Sequence, residues 1–207
     1  MKPILMYGGF AALSLLLAAS GAGRAATVEV QALGNDGKPL PETLVFLESR
    51  EAKVAARPMA GVDVAQEQRR FVQKVSIVTV GSEVRFPNRD TVRHHVYSFS
   101  SAKSFELKLY NGTPSNPVLF DKPGIAVLGC NIHDTMVAWV VVLETPYFAQ
   151  ADAIGRLRLD NVPPGTYRLR SWHPGLPPGA AASDEAVVVP AAGVKASVKL
   201  ALTAGAL

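Results

Sequence analysis

The chain has 207 residues and a formal charge of +4, from 21 Lys and Arg against 17 Asp and Glu. Two of those cations, Lys2 and Arg24, lie in the first 26 residues, which hold no acid, so the remainder falls from +4 to +2. No block of Lys or Arg would track a phosphate backbone, which argues against nucleic acid as a partner; Arg69-Arg70 and the arginines of 156–170 read as solvated strand faces.

Residues 1–26 read as a secretory signal peptide. Met1-Lys2 is a short positive start, Ile4 to Ala19 is apolar but short for a membrane span, and Gly21 to Ala26 is rich in small residues, with Gly23-Arg24-Ala25 as a cleavage site. No cysteine lies near it, which excludes a lipoprotein anchor there. The expectation is an exported, periplasmic protein with no stable membrane anchor once the leader is removed. The length left suits one large or two small domains.

After the leader, Thr27 to Leu33 alternates apolar and polar residues, as a half-buried strand does. Gly34 to Pro39 is turn chemistry, and Thr43 to Glu48 reads as a second strand. Residues 49–69 lack periodicity and read as a long surface segment. Val75 to Val80 and Val84 to Phe86 read as strands around Gly81-Ser82. Arg93 to Ser100 and Ser104 to Tyr110 are two more, and Ile125 to Leu128 runs into Cys130. Val137 to Leu143 is apolar on both faces, so a second layer should cover it. From Pro146 the strands are Ile154 to Leu159, Thr166 to Trp172, Glu185 to Val189 and Val194 to Leu202. No long amphipathic helix follows the leader. The expected fold is all-β, built as two packed sandwiches.

The chemistry is concentrated in Cys130-Asn131-Ile132-His133-Asp134-Thr135-Met136, which holds the only cysteine. A single cysteine in an exported chain cannot close an internal disulfide, and a free thiol there is open to oxidation, a liability that a metal bond removes. A thiolate, an imidazole and a thioether so close together suit copper: soft sulfur selects Cu(I), and a weak axial thioether tunes the potential. A second histidine would complete the set. His94 and His95 stand on an upstream strand, where alternation allows only one of them to face a metal. A Cys/His nucleophile pair is the catalytic reading of the same residues, but it lacks a positioned third group and an oxyanion motif in the sequence, so no enzyme activity is expected. His173, in Trp172-His173-Pro174, reads as a loop residue, and Trp139 and Trp172 as core or interface.

Cys-x2-His-x2-Met before an apolar strand resembles the copper loop of the cupredoxin (plastocyanin/amicyanin-like) family, with a spacing similar to amicyanin's. Upstream, Val78-Thr79-Val80-Gly81-Ser82-Glu83-Val84-Arg85-Phe86-Pro87-Asn88 resembles the run that precedes the family's first ligand. The family's His-Asn-Val then falls on His94-His95-Val96, and its Lys-x-Gly on Lys122-Pro123-Gly124. The resemblance is best over 70–145, and it extends to a subgroup labelled methylamine utilisation proteins. It implies a Greek-key sandwich with one mononuclear type 1 copper. The implied ligands are His94, Cys130 and His133 in the plane and Met136 on the axis, and the implied role is single-electron transfer between redox partner proteins. Two departures stand out. His95 replaces the Asn that steadies the loop, and Gly129 replaces the aromatic before the cysteine, leaving that side of the site less shielded.

Asp152 to Tyr167 resembles a carboxypeptidase regulatory-like β-sandwich module. The expected division is 27–145 for the copper domain and 146–207 for that module, with strands from 27–48 available to complete it. Two other functions compete with electron transfer: a periplasmic Cu(I)-handling protein, and a metal-free β-sandwich interaction module.

Overall fold

In a computed structural model the described residues are 25–177 and 179–202. The expected leader therefore lies almost wholly outside the described residues. Among these residues no helix is long and apolar enough to cross a membrane.

The elements run β1 (Ala26–Leu33), β2 (Leu44–Glu48), α1 (Arg50–Ala55), β3 (Val62–Asp63), β4 (Gln66–Glu67), β5 (Arg70–Phe71), β6 (Val75–Thr79), β7 (Ser82–Arg85), β8 (His94–Ser100) and β9 (Lys103–Tyr110). They continue with β10 (Val118–Phe120), β11 (Gly124–Cys130), β12 (Val137–Leu143), β13 (Phe148–Gln150), β14 (Arg156–Val162), β15 (Gly165–Trp172), β16 (Glu185–Val189) and β17 (Val194–Lys199). The fold is all-β. Among the described residues the one helix, α1, has six residues and is capped by Ser49, whose hydroxyl accepts the Ala52 amide at 3.0 Å.

A five-stranded sheet, β6-β12-β11-β8-β9, faces a three-stranded one, β10-β7-β3. Between them lies a core that includes Val78, Val84, Phe86, Val96, Phe120, Leu128, Val140 and Val142, and it also takes in Cys130 and Met136. The second pair of sheets, β14-β1-β17 and β13-β2-β15-β16, encloses its own core of Val28, Val30, Leu47, Leu157, Leu169 and Val198 among others. Strands β1 and β2, which a 27–145 boundary would group with the copper motif, pair with the tail: β1 with β14 and β17, β2 with β13 and β15.

Alternation along β12 explains how the two halves join. Ala138, Val140 and Val142 point into the core behind Cys130. Trp139, Val141 and Leu143 point the other way and meet Leu44, Phe46 and Trp172 from the tail sheets. The indoles of Trp139 and Trp172 stand 6.3 Å apart at 59°. The strand is apolar on both faces because both are covered.

Residues 49–69 are not a plain surface segment. They hold α1, β3 and β4, and Val64, Ala65 and Gln66 are buried. Two-residue strands are too short to show a period, so the pattern hid them. The short strands β10 and β13 escaped notice for the same reason. Strands β6 and β7 are adjacent in sequence but sit in different sheets, separated by Gly81 at φ +88°, where an added Cβ would meet Pro58 at 3.0 Å.

Candidate metal centre

The site is assembled by the register between β8 and β11. Cys130 sits opposite Val96, and Gly129 opposite Tyr97. Residues opposite one another share a face, as do residues two apart on one strand. Cys130, Val96 and His94 therefore all face the inner core, and His95 is turned to the other side. His94 is fully buried, with Nδ1 at 3.7 Å from the Cys130 Sγ. His95 instead places Nε2 at 2.8 Å from Glu106 Oε1.

The loop after β11 supplies the remaining residues. Its start is held by the Asn131 amide donating to the His95 carbonyl at 3.2 Å, and its turn by the Met136 amide donating to the His133 carbonyl at 2.9 Å. This tight turn brings His133 back over the strand end, with its ring centroid 5.3 Å from that of His94. One ligand atom each from His94, Cys130 and His133 lie within 4.8 Å of one another. Met136, on the same loop, is 1% exposed and belongs to the same core cluster as the 4%-exposed Cys130.

These donors fit a metal on the protein's own terms. Nδ1 of His133 is the one buried side-chain nitrogen or oxygen among the described residues with no hydrogen-bond partner. An unpaired buried polar atom costs about 1–3 kcal/mol. A bond to an ion between His94, Cys130 and His133 removes that cost, and one thiol with two imidazoles is a set that copper or zinc accepts.

Two features of the site differ from the sequence reading. First, Asp90 was missed. Its Oδ2 lies 2.8 Å from His94 Nε2, and it also accepts the Gln68 amide at 2.7 Å and the Arg69 amide at 2.9 Å. Burial pushes the Asp90 carboxyl up, but the Arg69 amide, His94 and the Gln68 amide outweigh it and hold the group below its usual value. The signal available in the sequence was its place four residues before His94. With Asp90 in view, cysteine, histidine and carboxylate do form the array that activates nucleophiles. Cys130 and His94 are both buried, and His133 is half-buried.

Second, Gly129 does not leave its side open. A Cβ there would lie 2.7 Å from both Cζ and the hydroxyl of Tyr97, so the tyrosine ring already occupies that space from the neighbouring strand. Tyr97 is flanked by His95 at 6.4 Å and Phe99 at 5.2 Å between ring centroids. The aromatic cover is present, contributed by β8 rather than by the residue before the cysteine.

His173 lies apart from this cluster. It is buried, with Nε2 donating to the Pro41 carbonyl at 3.0 Å and Nδ1 accepting the Gly175 amide at 2.9 Å.

No protein-family profile matches the chain, and no curated protein matches it. Among solved structures it is similar to a reduced Cu(I) form at pH 4 of an amicyanin mutant, at 20% identity and TM-score 0.36, over 48% of this chain and 98% of that one. An oxidized amicyanin mutant gives 20%, 0.36, 48% and 98% for the same four measures. A further Cu(I) mutant gives 21% identity and 0.36, over 40% of this chain and 81% of that one.

Proposed function

We propose that this chain is an exported, periplasmic type 1 copper protein that carries single electrons between redox partner proteins. His94, Cys130, His133 and Met136 would hold the copper. The observation that carries this reading is the buried, unpartnered Nδ1 of His133 beside the Cys130 thiol and the His94 imidazole.

Bound copper would supply a one-electron couple. The chain's own residues do the rest. Cys130 and His94 are held by strands paired to each other, which would limit movement of the donor set between oxidation states. The core around Cys130 and Met136 keeps water out. The resemblance of 70–145 to cupredoxins supports the same reading. For the organisation we propose a copper domain nested within a regulatory-like module, the module being formed by residues 27–48 and 146–207. The strand pairings of β1 and β2 support that nesting.

The test is to add one equivalent of Cu(II) to the purified protein and record visible and EPR spectra. An intense thiolate-to-copper band with narrow copper hyperfine splitting is expected, and Cys130→Ser should abolish it. Stoichiometric copper and colour retained in Cys130→Ser would refute the assignment. A pale band with tight Cu(I) binding would point to copper handling, and no binding of either ion to a structural module.

A further inference from the structure

The least expected feature of the site is how firmly Asp90 is held. Its carboxylate takes three donors: the amides of Gln68 and Arg69 and the Nε2 of His94, all at 2.7–2.9 Å. Both amide donors stand in left-handed backbone conformation, at φ 53° and 58°. That conformation is uncommon for residues other than glycine, and it turns two successive N–H groups toward one point. The Asp90 amide in turn donates to Asn88 Oδ1 at 2.9 Å, and Asn88 Nδ2 donates to the carbonyls of Val92 at 2.9 Å and Tyr110 at 3.0 Å. The loop is pinned again by the Arg89 amide on the Gln66 carbonyl at 2.9 Å. A carboxylate that only closed the 68–69 turn would need the two amides. The third bond goes to a fully buried imidazole whose other nitrogen faces the thiol.

We propose that Asp90 is a positioning residue that keeps His94 protonated on Nε2, presents Nδ1 as the donor, and lowers the reduction potential of the centre. A carboxylate on the far side of a ligating imidazole fixes its tautomer and strengthens its donation, and stronger donation favours Cu(II) over Cu(I). The effect on potential rests on the type 1 reading above. The tautomer does not, because it is a property of the metal-free chain.

The metal-free protein is examined first, by nitrogen-15 NMR of its histidines at about pH 8, above the ordinary imidazole pKa. A protonated, exchange-protected Nε2 and an unprotonated Nδ1 on His94 are expected; a protonated Nδ1 overturns the proposal. The potential is then compared in the copper protein, Asp90→Asn and Glu106→Gln. Asp90→Asn removes the charge while keeping an acceptor. Loss of such a partner weakens metal binding about 10–100-fold. If the loss falls on Cu(II), each tenfold raises the potential by about 59 mV for one electron. Glu106→Gln makes the same charge change beside His95, on the outer side of the sheet, and should move it far less. An unchanged potential in Asp90→Asn, or equal shifts in both variants, overturns the proposal. If the unaltered protein gives no type 1 spectrum, the copper reading fails while the NMR result still judges the tautomer. If Asp90→Asn does not fold, the NMR result on the unaltered chain decides.

Discussion

Gly129→Ala should destabilise the protein when Tyr97 is present and stabilise it when Tyr97 is gone. The added methyl would lie 2.7 Å from the Tyr97 Cζ and hydroxyl and 3.2 Å from Cε1. Ordinary contact begins near 3.4 Å, so the ring must retreat by roughly 0.7 Å or more, and misfits of this size typically cost about 1–3 kcal/mol. Against that, alanine is favoured over glycine inside a strand by roughly 0.5–1 kcal/mol. The φ of Gly129 is outside the left-handed region, so the backbone raises no objection. The net expectation is a loss of about 0.5–2 kcal/mol in the native background. In Tyr97→Ala the obstacle is absent, and the same substitution should gain about 0.5–1 kcal/mol. A four-member cycle by urea denaturation of the metal-free proteins reads the coupling directly. Equal effects of Gly129→Ala in both backgrounds would show that the tyrosine does not cover Gly129.

Trp172→Ala should cost about 3–5 kcal/mol, because the indole is buried between the two halves against Trp139 and the side chains of Phe46 and Val141. Its copper spectrum should be unchanged at temperatures where it stays folded, since Trp172 is not part of the Cys130 cluster; a shifted thiolate band would contradict that separation. His173 sets a pH dependence. Burial, and less so Lys74, lowers its pKa against the opposing pull of the Pro41 carbonyl and Glu42. The neutral ring is thus favoured when folded, so the stability is complete above the unfolded value near 6.5 and declines as pH falls below it. Melting temperature followed downward from about pH 8 should drop less in His173→Asn than in the unaltered protein, and parallel curves would remove His173 as the cause.

What could be read from the chain alone was local. The seven residues from Cys130 to Met136 lie on one turn, so their proximity follows from the covalent chain, whatever the rest of the fold does. Strand alternation separates His94 from His95 for an equally local reason, because neighbours on a strand face opposite sides. The two-faced β12 announced a second layer, and Phe46 and Trp172 supply it. Long strands showed their period, while β3, β4, β10 and β13 were too short to do so.

The tertiary structure decided what depends on register and on partners distant in sequence. Nothing near Gly129 indicates that Tyr97, 32 positions away, lies over it; that follows from the pairing of β8 with β11. Asp90 is close to His94 in sequence, but its role depends on the amides of Gln68 and Arg69, brought in by a hairpin that periodicity could not detect. The pairing of β1 with β14 and β17 spans more than a hundred residues, and the sequence of β1 suits any sheet with one buried face. Side-chain pattern specifies which face a strand buries; the choice of partner depends on the whole set of strands competing to pair, and that is settled only when the chain folds.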